Sequence, residues 1–178
     1  MRKVVYYVAT SLDGYIAGPN EAIDKFIGEG PLVEKYVQDL QEFDTVIMGR
    51  KTYEFGYKFG LKPGQPAYPH MRHYIFSDSL VLDNPHEQVH VLKRDLKIVQ
   101  QLKEQEGTDI YLCGGGMFAG WLLDNQLIDL LKIKLNPIIL GGGTPLFGES
   151  KTALSLHQAD SQEFDGGLSL RIYDIQYS

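Results

Sequence analysis

Apolar positions along this chain follow two rhythms, and the alternation between them predicts a mixed fold. Val4 to Ala9 is a nearly continuous apolar run, the pattern of a strand covered on both faces. Leu32, Val33, Tyr36, Val37 and Leu40 then recur at helical spacing behind Pro31, a residue suited to the first turn of a helix. Thr45–Met48, Tyr74–Phe76 and Val89–Leu92 read as short strands, and Leu96–Lys103 as a second helix. Asp109–Leu112 is a strand that runs into Gly114-Gly115-Gly116, and a helix over Met117–Leu123 opens directly after those glycines.

The last third changes character. From Ile128 to Leu135 the pattern is strand-like, with Lys132 and Lys134 alternating against Leu131, Ile133 and Leu135. Leu154–Phe164 and Leu168–Tyr177 flank Asp165-Gly166-Gly167, a turn sequence that predicts a terminal hairpin. Apolar parity shifts within the final strand, from Leu168, Leu170 and Ile172 to Tyr173, Ile175 and Tyr177. A β-bulge near Ile172-Tyr173 would bring both sets to one buried face. Strands alternating with helices and ending in a hairpin predict an α/β fold, with a mostly parallel sheet and an antiparallel C-terminal edge. No linker or repeat divides the sequence, so residues 1–178 read as one domain.

Composition narrows the function classes. The formal net charge is −6 and the longest basic cluster is Lys93-Arg94, which offers no surface for displacing the counterions of a nucleic acid. No apolar run approaches the ~20 residues that span a bilayer. The apolar stretch behind Met1-Arg2-Lys3 runs straight into Thr10-Ser11-Leu12-Asp13 without a small-residue cleavage site, so it reads as a strand and not as an export signal. With Cys113 the single cysteine, no internal disulfide can form, and a reducing cytoplasm is the expected compartment.

Two segments combine strand, glycine and helix. Met48-Gly49-Arg50-Lys51-Thr52-Tyr53 ends one strand, and Leu112-Cys113-Gly114-Gly115-Gly116-Met117-Phe118 ends another. Free N–H groups at a helix start attract phosphate, and glycine lets a ligand approach the backbone. Alone, the first is equally well a glycine turn followed by a solvated basic residue, and the triple glycine reads more readily as a mere tight turn. Neither matches G-x-G-x-x-G or a P-loop. Two such turns in one small domain could each hold part of a single dinucleotide at the carboxyl ends of the strands. Ser11-Leu12-Asp13-Gly14 is a third loop, built on an Asp-Gly turn. His70 and His73 stand three apart with no acidic or cysteine ligand beside them, so no metal site is expected. Cys113 reads more readily as a buried strand-end thiol than as a nucleophile.

These segments, with Val8 to Ala17, Ile75-Phe76-Ser77 and Pro137 to Phe147, stand in the order seen in dihydrofolate reductases. The chain resembles still more closely the reductase domain of the riboflavin pathway, whose first loop also reads Ser-Leu-Asp-Gly. The resemblance covers nearly the whole chain. It implies a three-layer dihydrofolate reductase-like fold, a homodimer, and reduction of a small heterocyclic, imine or carbonyl substrate by NADPH. Ala9 and Ile16 match residues framing the nicotinamide. Gly49, Arg50 and Thr52 match the turn on the adenosine and pyrophosphate side, and Ser77 a residue beside the adenine ribose. Gly114, Gly115, Gly116, Met117 and Phe118 match the second pyrophosphate loop. Asp78, next to Ser77, opens the alternative of NADH, because a carboxylate there would repel a 2′-phosphate.

On the substrate side, dihydrofolate reductases carry an acid on the helix before the Gly-Arg-x-Thr turn. The corresponding stretch holds Val33 and Glu34, with Glu34 one position off, and a solvated carboxylate is the competing reading. Asp13 is the acid nearest the nicotinamide loop, as proton donor or as a group that shapes that loop. Tyr7 and Cys113 replace the lysine and glutamate of the riboflavin reductases, which predicts a substrate that is neither dihydrofolate nor the riboflavin-pathway pyrimidine. A dinucleotide-binding regulatory protein without catalysis, and a purely structural domain, are the rival readings.

Overall fold

The computed structural model describes residues 1–178. In chain order the elements are β1 (Val4–Thr10), β2 (Tyr15–Ala17), α1 (Pro31–Leu40), β3 (Thr45–Gly49), α2 (Arg50–Phe55), β4 (Arg72–Phe76), β5 (Val89–Leu92), α3 (Leu96–Glu104), β6 (Ile110–Gly114) and α4 (Gly116–Asp124). They continue with β7 (Leu130–Leu135), β8 (Thr144–Pro145), β9 (Leu156–Glu163) and β10 (Ser169–Ile175). Eight strands form one sheet in the order β5-β4-β3-β6-β1-β7-β10-β9. The strands from β5 to β7 are parallel, and β10 runs antiparallel to both β7 and β9.

Strand alternation sorts the core into two layers. Val4, Tyr6, Ile47, Leu112, Leu131 and Ile133 pack with Val99 and Leu102 of α3 and Phe118 and Leu122 of α4. Val5, Tyr7, Val46, Met48 and Tyr111 point the other way, against Leu32 and Leu40 of α1 and Met71. Each buried Leu, Val or Phe contributes ~1.5–3 kcal/mol of transfer free energy, so burial on both faces holds the three layers together. This is the mostly parallel α/β sheet with a terminal hairpin that the dihydrofolate reductase resemblance implies. No helix is long and apolar enough to cross a membrane.

The hairpin departs from the sequence expectation in an informative way. Register against β9 does shift between Ile172 and Tyr173, but the extra residue lies in β9, because Ile172 faces Asp160 while Tyr173 faces Gln158. Against β7 the final strand keeps an unbroken register from Ser169–Leu135 to Asp174–Leu130. Its two apolar sets therefore stay on opposite faces. Leu168, Leu170 and Ile172 join the α1-side core, whereas Tyr173, Ile175 and Tyr177 join the α3–α4 side. A strand sandwiched between two cores, rather than a bulged strand with one buried face, accounts for the parity change.

Two further features were not foreseen. β2 and β8 form a two-stranded sheet that ties the first loop to the late loop. Gly143 permits this approach, since a Cβ there would lie 2.1 Å from the Ala17 carbonyl oxygen. The phase of α1 also differs from the apolar pattern. Leu32, Tyr36, Asp39 and Leu40 face the sheet, while Val37 is 56% exposed.

Candidate functional site

β3 and β6 are hydrogen-bonded neighbours, so the turns that follow them lie side by side. Gly49 starts α2 and Gly115 starts α4, and neither helix is capped by a side chain. In α4 the first intrahelical bond runs from Ala119 N–H to the Gly115 carbonyl, which leaves the N–H groups of Gly116, Met117 and Phe118 without helical acceptors. The turns also touch. A Cβ on Gly49 would stand 3.3 Å from Phe118 Cβ and 4.0 Å from Gly115 N, and one on Gly115 would stand 3.0 Å from Thr52 Oγ1. Gly114 has φ +127°, a conformation that other residues rarely adopt.

The glycines of the triplet divide their work. Gly114 and Gly115 face Thr52, whereas Gly116 faces away, and a Cβ on it would lie 2.2 Å from the Pro145 carbonyl oxygen. A Cβ on Gly120, one turn later, would lie 2.2 Å from the Phe147 carbonyl oxygen. Gly116 is therefore a packing glycine that lets residues 144–148 lie against α4. The Phe118 ring stacks on Phe76 with centroids 5.1 Å apart and belongs to the core, so only its backbone N–H is available to a ligand. Met117 is exposed.

Beside these turns, Arg50 donates from Nε to Glu54 Oε1 at 2.9 Å and from Nη1 to Ser79 Oγ at 2.7 Å. Ser77 Oγ accepts from the N–H groups of Ser79 and Leu80, at 3.2 and 3.0 Å, which shapes the 77–80 turn. Asp78 is exposed on that turn.

The two acids singled out from sequence sit in different surroundings. Asp13 Oδ1 accepts from Leu140 N–H at 3.1 Å and Oδ2 from Gly141 N–H at 2.8 Å. Bonding to the Ser11 hydroxyl and these amides holds its carboxyl below the ordinary range, so it stays an ionised acceptor that staples the first loop to the late one. Ile16, half-buried in β2, sits in the same stitched loop pair. Glu34 is exposed on the solvent side of α1, beside Val33 and Val37. The acid that α1 turns toward the sheet is Asp39, five residues later.

Asp39 opens a cluster that sequence reasoning missed. Its Oδ2 accepts from the Tyr7 hydroxyl at 2.9 Å, and its Oδ1 pairs with Lys35 Nζ at 3.0 Å. Lys132 Nζ lies 3.9 Å from Oδ2. Beyond it, the Tyr36 and Tyr111 hydroxyls are 2.5 Å apart, and the Tyr68 hydroxyl is 3.7 Å from Cys113 Sγ. Burial pushes all four phenols and the Cys113 thiol up, so each is protonated at neutral pH and Cys113 is not a ready nucleophile. Lys134 pairs in register with Ala9, and its Nζ sits 3.3 Å from the Tyr36 ring centroid and 5.9 Å from that of Tyr7. Burial pulls the Lys134 ammonium down to about 8. The sequence did carry one trace of this arrangement: lysines alternating with apolar residues in a strand whose sheet is covered on both sides.

The family model for the RibD C-terminal domain matches residues 2–170. The chain belongs to this family. It is 31% identical to the uncharacterized protein YwjB of Bacillus subtilis (strain 168), over 95% of this chain and 96% of that one. A second uncharacterized B. subtilis protein, YyaP, is 26% identical over 97% of this chain and 94% of that one. Among solved structures, a putative riboflavin biosynthesis protein from Shewanella sp. PV-4 superposes with TM-score 0.82 at 27% identity, over 99% of this chain and all of that one. A diaminohydroxyphosphoribosylaminopyrimidine deaminase/5-amino-6-(5-phosphoribosylamino)uracil reductase from Thermotoga maritima shares the fold at TM-score 0.70 and 17% identity. The match covers 98% of this chain but 57% of that longer protein.

As a RibD C-terminal domain family member the chain has one departure that the structure alters. Tyr7 was read from sequence as a position short of a cation. Lys132 and Lys134, from the neighbouring strand β7, place ammonium groups 5.1 and 5.9 Å from the Tyr7 ring centroid. Positive charge is present in this neighbourhood, carried by a different strand.

Proposed function

We propose that this protein is a reductase that binds NADPH across the two adjoining glycine turns and reduces a small substrate held between α1 and the sheet. The observation that carries this reading is the contact between the β3 and β6 turns, with uncapped backbone N–H groups at the start of α4. Family membership and the reductase-like structural neighbours support the same reading.

These residues fit a dinucleotide. Gly114 and Gly115 leave room for a pyrophosphate next to the α4 amides, and Thr52 Oγ1 borders the same space. Arg50 and Ser77 would serve the adenosine end, with Arg50 offsetting the repulsion between Asp78 and a 2′-phosphate. Ala9 and Ile16 would frame the nicotinamide, which supplies hydride chemistry when bound. Asp13 would hold the loop over that ring, as a positioning residue. Glu34 has no part in this scheme. Titration calorimetry tests the reading: one NADPH per chain, bound more tightly than NADH, is expected, and absence of binding to either would overturn it.

A second reading, a dinucleotide-binding regulatory protein, is favoured by the lack of an acid free to deliver a proton, since Asp13 is engaged as an acceptor. NADPH oxidation with imine and carbonyl substrates supports the enzyme, whereas tight NADPH binding with no turnover supports the regulator. We also propose a homodimer. The outer backbone of β9, the eight-residue strand at the edge of the sheet, is left open and is the surface a second copy would pair with. Sedimentation giving twice the 20.1 kDa chain mass is the expected result, and a 20.1 kDa species alone would contradict it.

A further inference from the structure

Lys134 sits in a place where a lysine needs a reason. Its neighbours across the strands are Ala9 on β1 and Leu170 on β10, and Leu170 is fully buried. An apolar residue would fill this position without the cost of desolvating an ammonium. No carboxylate lies within salt-bridge distance of it. Asp39, the acid on this face, already receives Lys35 and the Tyr7 hydroxyl, with Lys132 next in line. The Tyr36 ring offers Lys134 a cation–π contact, which softens the cost but leaves the charge without a counter-ion. Cys113, packed on the same face and close enough to feel the Lys134 charge, immediately precedes the Gly114–Gly115 turn, so this charge adjoins the proposed dinucleotide site. The half-buried rings of Tyr36 and Tyr68 add aromatic walls.

We propose that Lys134 selects the substrate, and that the substrate is a small aromatic or heteroaromatic compound bearing an anionic oxygen group that pairs with its ammonium. This substrate class rests on the reductase reading above. An incoming anion supplies the counter-charge the fold withholds, and the phenols of Tyr36 and Tyr68 flank the ring that carries it. Lys134 acts on ground-state binding, and no hydride or proton step is assigned to it.

A matched pair of probes tests this: indole-3-carboxylate and indole-3-carboxamide, nearly equal in shape and differing in charge. Affinities are measured by ligand-observed NMR for wild type, Lys134→Met and Lys134→Arg, each with and without saturating NADPH. Wild type should bind the carboxylate about tenfold more tightly or better, as expected for a charge-assisted hydrogen bond. Lys134→Met should erase the preference while keeping NADPH affinity, and Lys134→Arg should retain part of it. A wild type that binds neither probe, or binds both equally, overturns the proposal, as does a preference that survives in Lys134→Met. Failure of NADPH to bind would sink the reductase reading instead, and the NADPH-free measurements would still decide the role of Lys134.

Discussion

The two ends of the central sheet handle polar groups in opposite ways. At the amino ends of the strands the two buried cations, Arg2 and Lys103, both find partners. Arg2, 5% exposed, donates to Asp44, to Thr45 Oγ1 and to the Thr108 carbonyl, joining β1, β3 and the approach to β6. Lys103 Nζ and Val4 N–H both donate to Asp129 Oδ2, each at 2.7 Å. At the carboxyl ends the first amides of α4 lack a cap and Lys134 lacks an anion. The difference separates a closed network that stabilises the fold from an open one whose partners must come from outside. The openness at the carboxyl ends is confined to this site, because α3, which starts at the same end of the sheet, is capped by the Asp95 side chain accepting from Lys97 N–H.

This contrast can be broken most forcefully at the closed end. Replacing Arg2 by Met strands Asp44 beside a buried apolar chain. It should cost about 2–3 kcal/mol of stability by urea denaturation, because the Thr45 hydroxyl and the Thr108 carbonyl lose a buried donor, and leave NADPH affinity of the folded protein unchanged. At the open end, Arg50→Ala should weaken NADPH binding by about 1–2 kcal/mol, less than a buried charge-assisted bond because Arg50 is half-exposed and shared with Glu54 and Ser79. Its thermal stability should be nearly unaltered.

Lys134 sharpens the comparison, since its removal should have the opposite sign to that of Arg2. Burial lowers its folded-state value to about 8 from 10.5, so the protonated form opposes folding. That cost is full below pH 8, and it fades between about pH 8 and 10.5, where the folded chain sheds the proton before the unfolded chain does. Lys134→Met should therefore stabilise the fold at pH 7 by about 1–2 kcal/mol, and should lose the rise in stability that wild type shows across that window. Denaturation curves at pH 7 and pH 10 check both parts.

The open backbone turns were legible in the sequence, and the side-chain cluster was not. Each turn is contiguous, so Gly49-Arg50 and Gly114-Gly115-Gly116 announce themselves beside their strands. The cluster draws Tyr7 from β1, Tyr36 and Asp39 from α1, Tyr68 from a proline-rich loop, Cys113 from β6 and Lys134 from β7. Only the strand order, which puts β7 beside β1, brings them together. The buried acid of α1 is Asp39, while Glu34 is exposed, because Leu32, Tyr36 and Leu40 set the phase of the helix by burial. In β10 the two apolar sets were visible, but their cause was a strand between two cores, which a hairpin at a sheet edge does not lead one to expect.

The account depends most on the two glycine turns acting as one dinucleotide site, and Gly115→Val tests that directly. The new side chain would crowd Thr52 Oγ1 at the meeting point of the turns while staying clear of the Pro145 contact that Gly116 makes. NADPH titrated calorimetrically into wild type and Gly115→Val, each first shown to be folded by its thermal transition, should bind the first and fail to bind the second. Equal NADPH affinity in the two proteins would contradict the account.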